Sequence, residues 1–272
     1  MKKNYTFVPG AEFPFQYKYE HMAVAMDCVI FTFEDKTLKV LLIKRGIEPY
    51  KDCWAFPGGF LQNTETAREG ALRELQEETS LPLQISEIEE VGVFSDPARD
   101  PRERTISIAW YALVRPSDVV GGDDAALAQW IPVDELPQLA FDHKVIFDAA
   151  LERLRQDIHF KPVGFNLLDE EFTIPDLHRL YEAILGEKMD RSNFQRKVLA
   201  SGILEKVAPK LIANNCLYND IGLICDCPDE FEMFEEPVHR PRKAGPGRAG
   251  TLYRLNKDKY ADLKKNGGKT EF

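Results

Sequence analysis

Between Ala67 and Thr79 the chain carries Glu74, Glu77 and Glu78, at i, i+3 and i+4. On a helix that spacing puts three carboxylates on one face. Like charges so placed repel, and the pattern is met either as a solvated acidic surface or as a site where hard oxygen ligands hold a cation such as Mg²⁺ or Mn²⁺. The helix itself is well specified. Thr66 and Glu69 form a capping box at its start, Ser80 and Pro82 mark its end, and Leu72, Leu75 and Thr79 lie toward another face that can anchor it on a sheet. Just before it, Pro57 precedes Gly58 and Gly59, which carry no side chain and leave the backbone open to close approach.

Three further groups have chemical potential. Asp96, Arg99, Arg102 and Arg104 make an arginine-rich loop suited to phosphate or ribose, or simply to solvent. Asp123, Asp124 and Glu103 are alternatives for a general base, with no ground for choosing among them, and His143 reads as a helix-start residue. Cys216, Cys225 and Cys227, with His239, could ligate zinc, but C-x8-C-x-C is not the spacing of a common zinc module, and free thiols are the simpler reading.

The elements that must position these groups form two patterns. Met22–Phe33 and Thr37–Lys44 are aliphatic, β-branched runs separated by Glu34, Asp35 and Lys36, and read as a strand pair after a polar lead-in. Further strands are expected at Ile88–Phe94, Thr105–Val114 and Leu127–Ile131. An amphipathic helix follows at His143–Arg155, with Asp142 as its N-cap. This mixture without regular βα alternation predicts an α+β layered domain over residues 1–157.

From residue 158 to 272 the pattern changes to short helices. Pro175 opens one, Leu177, Leu180, Tyr181 and Ile184 form its apolar stripe, and Gly186 ends it. A second runs from an Asp190 N-cap through Phe194 and Val198 to Gly202. With the strand-like ILEKV and the later TLYRL they predict a winged helix-turn-helix. Residues 208–236 lie inside that wing and end in DCPDEFEMFEE, six acids without a base, which reads as an acidic loop insertion.

The surroundings of the acidic helix decide its reading. Gly59, Glu65, Arg73, Glu74, Leu75, Glu77, Glu78 and Leu81 fall at the spacings of the Nudix box, and residues 20 to 157 resemble the Nudix hydrolases. Ser80 is the one departure, standing where the box has glycine. The resemblance implies an α/β/α sandwich with a mixed sheet and a metal-dependent hydrolysis of a pyrophosphate joining a nucleoside to another moiety. It implies Glu74, Glu77, Glu78 and the Gly59 carbonyl as metal ligands, with Glu65 and Arg73 pairing to hold loop against helix. VGVFSDPARDPRERTISIAWYALV, with Pro97 about fifteen residues past the box, resembles the ADP-ribose pyrophosphatases. On that basis Gly58, Gly59, Arg99, Arg102 and Arg104 are expected to meet a nucleotide-sugar-type substrate.

With GFNLLDEEFTIPDLHRLYEAILGEKMDRSNFQRKVLASGILEK and the later GRAGTLYRLN after the Nudix-like domain, almost the whole chain resembles the bacterial Nudix-related transcriptional regulators of NAD or sugar metabolism. In such a domain the second helix enters the major groove of double-stranded DNA and the wing touches the backbone or minor groove. Arg191, Ser192, Asn193, Gln195, Arg196 and Lys197 would be the reading face, and His239, Arg240, Arg242, Lys243 and Arg248 the wing. A helical appendage for dimerisation is the alternative. Two functions are therefore weighed, a Mg²⁺-dependent hydrolase of ADP-ribose or a similar nucleoside diphosphate derivative, and a ligand-sensing regulator with little turnover. A homodimer is expected in either case.

Composition is consistent with this division of labour. The 272 residues carry a formal charge of -10, which argues against a general polyanion binder, yet Pro237 to Phe272 hold ten Lys or Arg against three Asp or Glu. That leaves -17 on residues 1–236, so only the last stretch looks built to meet a polyanion. Hydrophobic residues at 44% and charged residues at 29% are ordinary globular values and exclude fibrous repeats. No secretory leader pattern or run of ~18 apolar residues is present, and five cysteines suit a reducing compartment, so a cytoplasmic protein without membrane contact is expected.

Overall fold

The computed structural model describes residues 5–7, 15–17, 21–81, 83–84, 87–116, 125–160, 163–207, 211–212, 216–219, 222–224 and 251–265. Two compact units are present, residues 1–158 with 183–186, and residues 159–182 with 187–272.

The first unit is built on a seven-stranded mixed sheet. Strand β3 (Ala23–Glu34) turns through Asp35 and Lys36, both at positive φ, into the antiparallel β4 (Thr37–Arg45). On its other side β3 runs parallel to β8 (Thr105–Leu113), and β7 (Ile88–Phe94) adds antiparallel to β8. Strand β9 (Ala125–Pro132) and the two-residue β5 (Trp54–Ala55) pair with β4, while β6 (Gly58–Phe60) pairs with β3. The polar lead-in is not plain loop, since β1 (Tyr5–Phe7) and β2 (Phe15–Tyr17) pair as a hairpin.

Strand β3 is apolar on both faces because both are covered. Met26, Cys28 and Ile30 join Ala71 and Leu75 of helix α1 (Ala67–Thr79) in one core. On the opposite face Phe31 meets Phe147 of helix α2 (His143–Phe160) at 6.2 Å between ring centres. The Tyr111 hydroxyl donates to Asp157 at 2.6 Å and fastens α2 to β8. The result is the α/β/α sandwich expected from the sequence.

In the second unit, β10 (Phe172–Thr173) leads into α3 (Ile174–Leu185), α4 (Arg191–Ala200) and β11 (Leu204–Lys206). Strand β15 (Leu252–Leu255) pairs antiparallel with both β11 and β10, which makes the wing three-stranded, and α5 (Lys257–Lys265) follows. Part of the expected loop insertion is a small antiparallel sheet of β12 (Leu211–Ile212), β13 (Cys216–Asn219) and β14 (Gly222–Ile224). Among the described residues no helix is long and apolar enough to cross a membrane.

Candidate active site and nucleic-acid interface

Helix α1 begins as its sequence requires. Thr66 Oγ1 accepts the Glu69 N–H at 3.3 Å and the Glu69 carboxylate accepts the Thr66 N–H at 2.8 Å. With Leu75 and Ala71 fully buried, the rotation of α1 is fixed, and Glu74 and Glu78 turn toward β6. Glu78 Oε2 accepts the Gly58 N–H at 2.8 Å. The Glu74 carboxylate lies against Gly59, where an added Cβ would sit 2.4 Å from its Cδ. Glycine at 59 is what allows this approach.

Arg73 is the cation that the acidic face needs. Its guanidinium donates to Glu65 at 3.0 and 2.7 Å, to Glu74 at 2.7 Å, to Glu77 at 3.0 Å and to the Phe60 carbonyl at 3.2 Å. It therefore joins the loop, the helix and the end of β6. The bond to Arg73 holds the Glu65 carboxyl down at about 2. Glu74 moves the other way, because burial outweighs Arg73 and raises its carboxyl above the usual range.

Do these residues fit a divalent cation? Among the described residues no three acidic, histidine or cysteine side chains converge tightly enough to enclose one. Glu77 is half exposed, and both it and Glu74 are drawn to Arg73. The donor set is nevertheless all oxygen, as hard cations require, and a half-buried Glu74 with a raised pKa is a carboxylate whose charge a further cation would stabilise. The residues fit such an ion provided that Glu77 exchanges Arg73 for it.

Next to this face opens a cleft lined among others by Arg45, Gly58, Gly59, Phe60, Arg99, Arg102, Phe141 and His143. The structure brings Gly58, Gly59, Arg99 and Arg102 together there, and treats the three loop arginines differently. Arg99 has a side chain only 4% exposed, clamped by Asp142 at 2.9 and 2.7 Å and by Asp27 at 3.4 Å. It is part of the wall. Arg102, with a 38% exposed side chain, pairs with Asp100 at 2.8 Å and lies over the rings of Phe60 and Phe141 at 5.2 and 5.7 Å. Arg104 turns away to the Ser95 and Asp96 carbonyls at 2.9 and 3.2 Å and closes its own loop. Glu103 is exposed and is not a lining residue, while Asp123 and Asp124 lie outside the described residues.

Sequence reasoning missed Asp27, Arg45, Phe60, Phe141 and the position of His143, which starts α2 as expected but also lines the cleft. Ala140 reaches the site because its N–H bonds the Trp54 carbonyl at 2.8 Å, carrying Phe141 and His143 beside β5. One signal was present in the sequence, a charged Asp27 inside the otherwise apolar run AVAMDCVIF.

The second unit presents a separate surface. Leu177, Leu180, Tyr181 and Ile184 of α3 are all buried, and Phe194 of α4 sets its ring edgewise at 5.2 Å from Tyr181. Asp190 caps α4 by accepting the Asn193 N–H at 2.7 Å. Burying Phe194 and Val198 leaves Arg191, Ser192, Asn193, Gln195 and Arg196 exposed and Lys197 half exposed, a face with three basic residues and no acid. His178 and Glu182 of α3 hold the turn between the helices, the first against the Met189 carbonyl at 3.1 Å and the second accepting the Met189 N–H at 3.0 Å. His239, Arg240, Arg242, Lys243, Arg248, Cys225 and Cys227 lie outside the described residues, as does the acidic run 226–236. Of the cysteines that are described with side chains, Cys28 and Cys53 are free thiols.

Comparison with known proteins is consistent with both units. Residues 21–150 match the NUDIX domain model and residues 164–212 match the NrtR DNA-binding winged helix domain. The ADP-ribose pyrophosphatase of Methanocaldococcus jannaschii is 44% identical over 128 residues, 47% of this chain and 72% of that protein. The ADPR responsive transcriptional repressor of Acinetobacter baylyi is 28% identical over 200 residues, covering 72% of this chain and 79% of the repressor. Among solved structures, Shewanella oneidensis NrtR complexed with a 27mer DNA superposes with a TM-score of 0.62 at 26% identity, over 88% of this chain and 95% of that one. With its box residues in place on a helix and glycine strand of the expected geometry, the chain belongs to the Nudix family, joined to an NrtR-type winged helix.

Proposed function

We propose that this pyrophosphohydrolase cleaves the pyrophosphate of ADP-ribose or a similar nucleoside diphosphate derivative, with Mg²⁺ as its ion and Mn²⁺ as a substitute. The observation that carries the reading is the seating of Glu74 and Glu78 on the Gly58–Gly59 backbone, at the edge of a cleft lined by arginine and phenylalanine. Glu74, Glu77, Glu78 and the Gly59 carbonyl would hold the ion. When bound, such an ion neutralises phosphate charge and lowers the pKa of a coordinated water. Glu65 and Arg73 keep α1 registered on β6. Gly58 and Gly59 let a pyrophosphate reach the backbone, and Arg102 with Phe60 and Phe141 offers charge and flat apolar surface to the rest of the substrate. Release of AMP from ADP-ribose, absent when Mg²⁺ is chelated, tests this directly.

The exposed basic face of α4 favours a second role beside the first. In this reading residues 158–272 bind double-stranded DNA through Arg191, Asn193, Gln195, Arg196 and Lys197 and the basic wing residues Arg240, Arg242, Lys243 and Arg248. Residues 1–157 sense the nucleotide, and a homodimer in the cytoplasm spaces two winged helices on a palindromic site. Support comes from the match to the NrtR-type domain and from the repressor relative, described as ADPR responsive. A nucleotide can alter DNA affinity only by its differential affinity for two dimer geometries, typically about 1–3 kcal/mol. Gel-shift titrations on DNA upstream of the gene, with and without ADP-ribose, test it, and no specific binding at low salt would refute it.

A further inference from the structure

Within the cleft wall lies a buried polar cluster to which neither the acidic helix nor the proposed substrate contacts assign a role. Asp27, 6% exposed, stands in the middle of β3 among Met26, Cys28, Val29 and Ile30, all fully buried. Its Oδ2 accepts from the Ser107 hydroxyl on β8 and from Arg99 at 3.4 Å, and its Oδ1 faces His143 Nε2 at 3.3 Å. His143, 4% exposed, accepts the Phe56 N–H on Nδ1 at 3.0 Å and stacks on the Phe56 ring at 5.4 Å and 7°.

A backbone N–H can only donate, so the proton of a neutral His143 ring must be on Nε2, aimed at Asp27. Burial pushes the imidazole below its ordinary range and favours that neutral form. The ring therefore bridges two segments. One is the Phe56–Pro57 connection into β6, whose Pro57 carbonyl accepts from Cys28 N–H at 2.8 Å and which presents Gly58 and Gly59 to the acidic helix. The other is reached through Asp27 and is the Arg99–Arg102 loop, which also lines the cleft.

We propose that His143 and Asp27 are positioning residues that lock these two segments at a fixed separation, so that a substrate gripped near Arg102 presents its pyrophosphate at Gly58–Gly59. The proposal rests on the hydrolase reading given above. A site that needed only filling would hold apolar groups like its neighbours. Instead, one carboxylate gathers donors from β8, the arginine loop and the start of α2, an arrangement that fixes geometry only while every partner is present.

The two nitrogens of the ring can be removed separately. His143→Asn keeps an acceptor near Nδ1 for the Phe56 N–H but loses the donor to Asp27, whereas His143→Gln keeps a donor near Nε2 and leaves Phe56 without its acceptor. With ADP-ribose and saturating Mg²⁺, each variant should lose about 10- to 100-fold in kcat while KM stays within about threefold, as expected of misplaced rather than missing contacts. Asp27→Asn should behave the same, and its combination with His143→Asn should cost no more than either alone. Folded variants with wild-type kcat, or losses that multiply, would overturn the proposal. If the wild-type chain shows no turnover, the hydrolase reading fails instead, and the latch is decided by NMR. A neutral Nε2–H ring, with Phe56 amide protection lost in His143→Gln but kept in His143→Asn, supports it. A ring protonated on Nδ1, or a Phe56 amide that exchanges alike in both variants, overturns it, and the wild-type ring alone decides should a variant fail to fold.

Discussion

Gly59→Ala should separate activity from stability. The new Cβ would lie 2.4 Å from Glu74 Cδ and 2.4 and 2.5 Å from its two oxygens. Ordinary carbon–carbon contact near 3.5 Å requires the carboxylate to withdraw by about 1 Å. What must move is the end of a flexible side chain, and Gly59 is not in the left-handed region that alanine resists. The fold should therefore hardly notice, with a change under about 1 kcal/mol and a Tm shift within about 3 °C. A misplacement of about 1 Å at a group that holds the reacting center together costs about 10²-fold, or about 2.7 kcal/mol of activation free energy. Gly58→Ala is the contrast, because its Cβ would meet the Met26 carbonyl oxygen at 2.0 Å, a backbone atom of β3 that cannot withdraw alone. That variant should lose stability as well as activity. Steady-state release of AMP from ADP-ribose, beside thermal melting of both variants, reads the two effects. Gly59→Ala turnover within twofold of wild type would refute the placement of Glu74 in the working site.

Other outcomes follow from the same geometry. Ser80 caps α1 in a left-handed conformation at φ 60°, so Ser80→Gly should stabilise the chain by about 1 kcal/mol in denaturant titration, with activity within about threefold. A large rise in activity would instead mark the natural protein as a damped enzyme. Because Arg73 depresses the Glu65 carboxyl from 4.5 to about 2, its contribution to stability is fully present above about pH 4.5 and is lost as the pH falls toward 2. Wild type and Glu65→Gln should therefore differ in Tm at pH 6 and converge near pH 2, and a constant difference would contradict the pairing. Arg196→Glu, on the exposed face of α4, should abolish salt-sensitive binding to operator DNA in gel shifts and leave hydrolysis unchanged.

Short-range signals carried well from sequence to structure. Helix α1 spans Ala67–Thr79 as read from its capping box and Ser80, and α4 begins after Asp190 as its cap predicts. The hairpin through Asp35 and Lys36 was equally plain, because turn residues and apolar alternation act within a few positions, whereas the pairing of Leu204–Lys206 with Leu252–Leu255 followed from the winged-helix pattern as a whole. Strands of two or three residues such as β5, β6 and β10 have no periodicity to read and exist only through their long partners. The site divides the same way. The box residues were legible because one helix holds them in a fixed spacing. Arg99 lines the cleft, but the Asp27 and Asp142 that clamp it lie 72 and 43 positions away and could not be read beside it. Likewise the His143 contact to Phe56 spans 87 positions, beyond any local rule.

The central claim, that a cation held by the acidic face of α1 drives pyrophosphate hydrolysis, is tested most directly by one comparison, the kcat of wild type and Glu78→Gln on ADP-ribose across a Mg²⁺ titration. The glutamine keeps the shape and an oxygen for the Gly58 N–H, which Glu78 accepts at 2.8 Å, and removes only the charge. The account predicts Mg²⁺-dependent turnover in the wild type and a fall of at least ~10²-fold in the variant. Turnover in Glu78→Gln equal to wild type, with the same Mg²⁺ dependence, would contradict it.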